Sequence, residues 1–191
     1  MGTKALLIVD TQIDFCPGGG YPVSEGNKIV VPLNKMLVYA RKNGWKIFAS
    51  RDWHSAKLFS KDDCSTHCVQ RTEGAKFHPN LDIGDDVMII SKGANDLSDR
   101  HYSAFNGDEI ILDTLLRENG INEIYIGGLA LDYCVKNTAI DSVKKGYRTI
   151  VMLDATKAVK NKESDIEAVV ERMKKEGIEF ITTSEFLARN F

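Results

Sequence analysis

Six short apolar runs punctuate this chain, and between them apolar residues recur at helical spacing. The first, Ala5-Leu6-Leu7-Ile8-Val9, is continuously apolar, as expected of a parallel strand covered on both faces. Lys46–Ser50, Val87–Ser91, Glu123–Ile126, Thr149–Leu153 and Phe180–Thr182 read as further strands. Ile29 to Asn43 places Val30, Leu33, Leu37 and Ala40 on one helical face, and Gly44 stops it. Helical spacing also covers Glu109–Asn119, with Asp108 as its cap, Asp132–Lys145 before Gly146, and Asp165–Glu176; Ser184 is expected to cap a final turn. Alternating strand and helix predict a three-layer, doubly wound α/β fold: a mostly parallel six-stranded sheet with helices on both faces, in a single domain spanning 1–191. Residues 55–85 carry no sustained periodicity, and so long an irregular stretch in a compact domain is usually functional. His54, His67 and His78 lie in it or at its border.

Composition narrows the function. Hydrophobic residues at 43% and charged residues at 27% are ordinary globular values, and 191 residues suffice for a sizeable core. A net charge of −2 supplies no basic excess for nucleic acid or an anionic membrane surface. No apolar run approaches bilayer length, and the N-terminus shows no signal-peptide pattern. The irregularly spaced Cys16, Cys64, Cys68 and Cys134 read as reduced thiols or ligands, which points to the cytoplasm. Gly18-Gly19-Gly20 opens no helix directly, and no G-x-x-x-x-G-K occurs, so neither a dinucleotide nor a phosphate fingerprint is present.

The polar residues that end the apolar runs carry the chemistry. Asp10, Asp52, Lys92 and Cys134 fall at or just beyond strand C-termini, which line the ligand crevice of open α/β sheets. Singly, each suits a turn, a cap or solvent. Together they permit nucleophilic acyl transfer, with Cys134 attacking an amide carbonyl and Asp10 serving as base and then acid. Lys92 would pair with carboxylate and thiolate. Ile124-Tyr125-Ile126 running into Gly127-Gly128 and then a helix makes a shelf of unpaired N–H groups. That shelf would ease ionisation of the Cys134 thiol, and backbone N–H groups at Ala130 and Cys134 would receive an oxyanion. Asp52-Trp53-His54, with His67 from the same loop, offers carboxylate and imidazole to a divalent ion such as zinc, manganese or iron. Cys64 and Cys68 flank His67 and offer a thiolate site instead, and packing is the ordinary role for such cysteines.

These segments resemble nicotinamidases, within the isochorismatase-like cysteine hydrolases. The resemblance rests on Ile8–Phe15, Ser50–His54, His67–Thr72, Lys92-Gly93, Tyr102–Phe105 and Gly128–Val135, in order along most of the chain. It implies hydrolysis of nicotinamide to nicotinate and ammonia through a thioester, in NAD salvage, with pyrazinamide as a further substrate. It assigns Asp10, Lys92 and Cys134 as a triad, and Asp52, His54 and His67 as metal ligands with the substrate's pyridine nitrogen completing the sphere. Phe15, Tyr102 and Tyr133 match ring-packing positions, and Leu129–Ala130 matches a peptide that is cis in the family, aiming the Ala130 N–H at the oxyanion. Many members carry a further His or Glu ligand where this chain has Leu58-Phe59-Ser60, leaving Ser60 as the position that could serve. Cys64 replaces an aromatic and Ile13 an asparagine.

The expected partner is a small molecule, with no nucleic acid and no membrane; a homo-oligomer is compatible with the sequence. Two rivals remain: an amidohydrolase of the same superfamily acting on a carbamoyl or ureido substrate, and a non-catalytic or thiol-redox protein. The second would not require Asp10 and Lys92 beside Cys134.

Overall fold

The computed structural model describes residues 3–59, 66–94, 102–108, 111–160 and 162–190. Six strands form one sheet: β1 (Thr3–Val9), β2 (Lys46–Asp52), β3 (Val87–Lys92), β4 (Ile121–Leu129), β5 (Arg148–Lys157) and β6 (Glu179–Ile181). Their order is β3-β2-β1-β4-β5-β6, and every pairing is parallel. The strand order reverses between β1 and β4, so a crevice opens there at the strand C-termini.

The alternation along β1 shows why its run is unbroken. Leu6 and Ile8 pack on one side with Leu33, Met36 and Leu37 of α1 (Val30–Lys42) and Phe186 of α5 (Thr183–Asn190). Ala5, Leu7 and Val9 pack on the other, with Leu112 and Leu116 of α2 (Leu112–Glu118), Ala139 of α3 (Lys136–Lys144) and Met173 of α4 (Glu163–Lys175). A central strand with both faces covered has no solvent side to make polar, and each large side chain so buried stabilises by about 1.5–3 kcal/mol.

Local signals misled at element ends. Asp108 does not cap α2, whose N-cap is Ile111; its carboxylate accepts the Ala94 N–H at 2.8 Å, tying the loop after β3. Ser184 lies inside α5, and the cap is two residues earlier: Thr182 Oγ1 accepts the Glu185 N–H while Glu185 Oε2 accepts the Thr182 N–H, a reciprocal capping box. Asp154 does not end a strand, because β5 runs on to Lys157 and the Asp154 carboxylate accepts the Thr183 N–H and hydroxyl. Before α3 the chain makes a π-helical turn, Leu131–Val135, rather than continuing one α-helix from Asp132.

Gly128 lies beside Val9 in the β1–β4 ladder with φ +129. A Cβ there would fall 2.0 Å from the Val9 carbonyl oxygen, so only glycine lets the two strands meet at the crevice.

Candidate active site

Lys92, the last residue of β3, is wholly shielded from water. Its Nζ lies 2.8 Å from Asp10 Oδ2 and 3.9 Å from Cys134 Sγ, and it also pairs with Asp52 Oδ1. β3 and β2 are neighbours with Asp52 opposite Lys92, and Asp10 leaves β1 alongside Ser50. Parallel register therefore brings Asp10, Asp52 and Lys92 together, and the π-helical turn just beyond β4 adds Cys134. The Ser50 hydroxyl donates to Asp10 Oδ1 at 2.7 Å and fixes the carboxylate on its other side.

Burial sets the protonation states. It pushes Asp10 above the usual carboxylate range; the Lys92 charge and the hydrogen bond from Ser50 offset this only in part, and Asp52 adds to it. Burial also acts on Asp52, but there Lys92 and His54 win and hold the carboxyl well below its ordinary value. Desolvation alone would lower Lys92, yet Asp10 and Asp52 hold its ammonium well above its usual pKa. The expected easing of Cys134 ionisation is overturned. Burial, with Asp10 and Asp52 close by, pushes the thiol well above its ordinary value despite Lys92. Desolvation outweighs the pull of a nearby helix terminus, so Cys134 rests as a thiol and needs a base to attack.

Beside this cluster, Asp52, His54 and His67 each offer a ligand atom, all within 4.8 Å of one another. His54 Nε2 is 3.8 Å from Asp52 Oδ2, and the His54 and His67 rings stand 5.1 Å apart, nearly perpendicular. One carboxylate and two imidazoles suit a divalent transition metal. The charge balance fits as well: Lys92 is one ammonium between two buried carboxylates, and a cation at Asp52 would offset the excess. Ser60 and Cys64 lie outside the described residues. Cys16 and Cys68 are buried, consistent with packing.

A cavity opens over both groups, lined by Phe15, Tyr102, Tyr133, Ala130 and Cys134 as expected, and by Asp52 and His67 on the metal side. The Leu129–Ala130 peptide is cis. Four wall residues escaped the sequence reading in this role: Tyr21, Val23, Leu129 and Val159. Val159 follows from the true end of β5, since a strand running to Lys157 delivers the next residues to the crevice. Asp132 holds that wall, its buried carboxylate accepting the Val159 N–H at 2.9 Å and the Lys160 N–H at 3.1 Å. Nothing local distinguishes Asp132 from a surface acid, because its partners lie far along the chain.

A buried base, a thiol and a cation beneath an aromatic pocket can perform thiol attack on a flat amide. Residues 4–185 match the family model described as the isochorismatase domain. The nicotinamidase of Escherichia coli is 36% identical over 188 residues, spanning 86% of this chain and 88% of the relative. The nicotinamidase/pyrazinamidase of Mycobacterium tuberculosis is 34% identical, spanning 95% of this chain and 100% of the relative. Among solved structures, the pyrazinamidase of Pyrococcus horikoshii in complex with zinc superposes with a TM-score of 0.85 at 39% identity, covering 94% of this chain and 98% of that one. With the family model matching residues 4–185 and these relatives aligned over most of its length, the chain belongs to the isochorismatase family.

Proposed function

We propose that this protein is a metal-assisted cysteine amidohydrolase that converts nicotinamide to nicotinate and ammonia through a thioester, and that it also accepts pyrazinamide. This places it in NAD salvage, in the cytoplasm, as one domain over 1–191. The observation that carries the reading is the fully buried Lys92, 2.8 Å from Asp10 and 3.9 Å from Cys134, whose side chain lines an aromatic pocket. The nicotinamidases and pyrazinamidase to which the chain is similar support the substrate class.

Asp10 takes the Cys134 proton as Sγ attacks the carboxamide carbon. The raised pKa of Asp10 favours holding that proton, which a carboxyl of ordinary acidity would do poorly. Backbone N–H groups of Ala130 and Cys134 receive the oxyanion. The tetrahedral adduct collapses as Asp10 returns the proton to the amine, and ammonia leaves the thioester behind. Water then attacks the thioester while Asp10 accepts its proton; nicotinate departs and Cys134 recovers its hydrogen. Lys92 keeps its charge throughout, holding Asp10 in place and balancing the negative charge that forms near Sγ. Asp52, His54 and His67 would hold a divalent ion, zinc in this reading, which when bound supplies a Lewis acid for the ring nitrogen of the substrate. Phe15, Tyr102 and Tyr133 pack on the ring.

The lining speaks against the carbamoyl rival when its substrate carries a carboxylate. Among the described wall residues no lysine or arginine faces the cavity to receive one, and apart from Asp52, His67 and Cys134 the wall is aromatic or aliphatic. The test is ammonia release from nicotinamide against a panel of small amides, before and after chelation. Nicotinamide and pyrazinamide should lead the panel, chelation should suppress both, and Cys134→Ala should abolish release. Retained activity in Cys134→Ala overturns the mechanism.

A further inference from the structure

We infer that Gln12 and Asp14 are positioning residues that pre-assemble the metal ligands, gripping the backbone that carries Asp52 and His67 without touching any ligand atom. The inference rests on the metal reading above.

The β1–β2 ladder ends at Val9 opposite Ser50, followed by the Asp10 N–H to the Ser50 carbonyl. Two residues on, the Gln12 side chain takes over for the departed strand. Its Oε1 accepts the Asp52 N–H and its Nε2 donates to the Asp52 carbonyl, both at 2.8 Å. The second Nε2 hydrogen goes to the Ala75 carbonyl, also at 2.8 Å. Gln12 is fully buried, so all three bonds form in the interior, where an unmade bond is costly. A side-chain amide presents a donor and an acceptor side by side, as a strand edge does.

Asp14 acts on the other ligand segment. Its Oδ2 accepts the Cys68 N–H at 2.7 Å, directly after His67, and its Oδ1 accepts the Gly20 N–H at 2.9 Å. Cys68 is left-handed, φ +47, a conformation a non-glycine residue holds only when its surroundings impose it. The Cys68 carbonyl in turn accepts the His54 N–H at 2.9 Å. One carboxylate thereby reaches His67 and, through Cys68, His54. Gly74 leaves room for it: a Cβ there would fall 2.2 Å from both Asp14 oxygens. Residues 10, 12 and 14 thus deliver the base and two grips in succession. Partners of this kind govern metal affinity by holding ligands ready, and their loss typically weakens binding by about 10- to 100-fold.

The experiment measures zinc affinity of the metal-free full chain by competition with a chromophoric chelator, for wild type, Gln12→Met, Asp14→Asn and Gly74→Ala. Thermal melting in chelator and activity at limiting and excess zinc accompany it. Each variant should bind zinc about 10- to 100-fold more weakly, melt in chelator within a few degrees of wild type, and regain activity at excess zinc. Gly74→Ala keeps the Asp14 charge and displaces it, so weakening in that variant separates positioning from loss of a nearby negative charge. If Gln12→Met does not fold, the other two decide. Unchanged affinity in folded Asp14→Asn and Gly74→Ala overturns the inference. A wild-type chain that binds no zinc overturns the metal reading itself, a different and recognisable result.

Discussion

Lys92 Nζ stands 2.8 Å from Asp10 Oδ2, and neither side chain is reached by water. The pair joins the ends of β3 and β1, strands that are not adjacent in the sheet, by reaching across β2. In the proposed mechanism that cation serves the fold as much as the chemistry.

Replacing Lys92 therefore tests both. Lys92→Met leaves Asp10 and Asp52 buried without their ammonium, and breaking a buried pair from one side costs about 3–5 kcal/mol. Urea unfolding of the variant should show a loss of that size together with loss of ammonia release. Wild-type stability in the variant would mean that the carboxylates do not depend on Lys92.

The pH profile reads Asp10. Its carboxyl is raised above the ordinary 3.8 by burial, and only the ionised form can take the thiol proton. Activity should accordingly be present above the raised pKa and fall away as the pH drops through it, with the acid limb of kcat/KM at saturating zinc lying above 3.8. Full activity down to pH 3.8 would contradict the assignment of Asp10 as base.

Gly128→Ala should damage the molecule at the junction of β1 and β4. The new Cβ would meet the Val9 carbonyl at 2.0 Å, at a φ of +129 that L-residues avoid. A loss on the order of 2–4 kcal/mol in a denaturant melt is expected, with activity falling alongside because Leu129 and Ala130 follow directly. A variant as stable as wild type would show that the two strands can separate there at no cost.

Asp132 offers a cleaner effect on binding. Asp132→Ala releases the Val159 and Lys160 N–H groups and loosens the Val159 wall of the pocket. KM for nicotinamide should rise about tenfold, corresponding to about 1.4 kcal/mol, while kcat stays within a few-fold because Asp10, Lys92 and Cys134 are untouched. A fall in kcat at unchanged KM would place Asp132 in the chemistry instead.

Among the described residues, the apolar runs alone located the six strands, with Asp10, Asp52 and Lys92 at their ends and Cys134 just beyond one, because strand burial is written locally as an unbroken run. The face of α1 was legible for the same reason: Val30, Leu33, Leu37 and Ala40 are all buried, with Met36 and Tyr39 beside them. Capping was less legible. Asp108, Asp154 and Ser184 are each of a type that can cap, but Asp108 and Asp154 found partners 14 and 29 residues away in sequence. The grips of Gln12 and Asp14 span 40 and 54 residues and have no local signature. Strand order, which sets β1 beside both β2 and β4, turned four scattered strand ends into one site. It also decided the state of Cys134. A thiol at the start of a helix is locally inclined to ionise, but desolvation depends on everything packed around it, and at Cys134 that packing reverses the inclination.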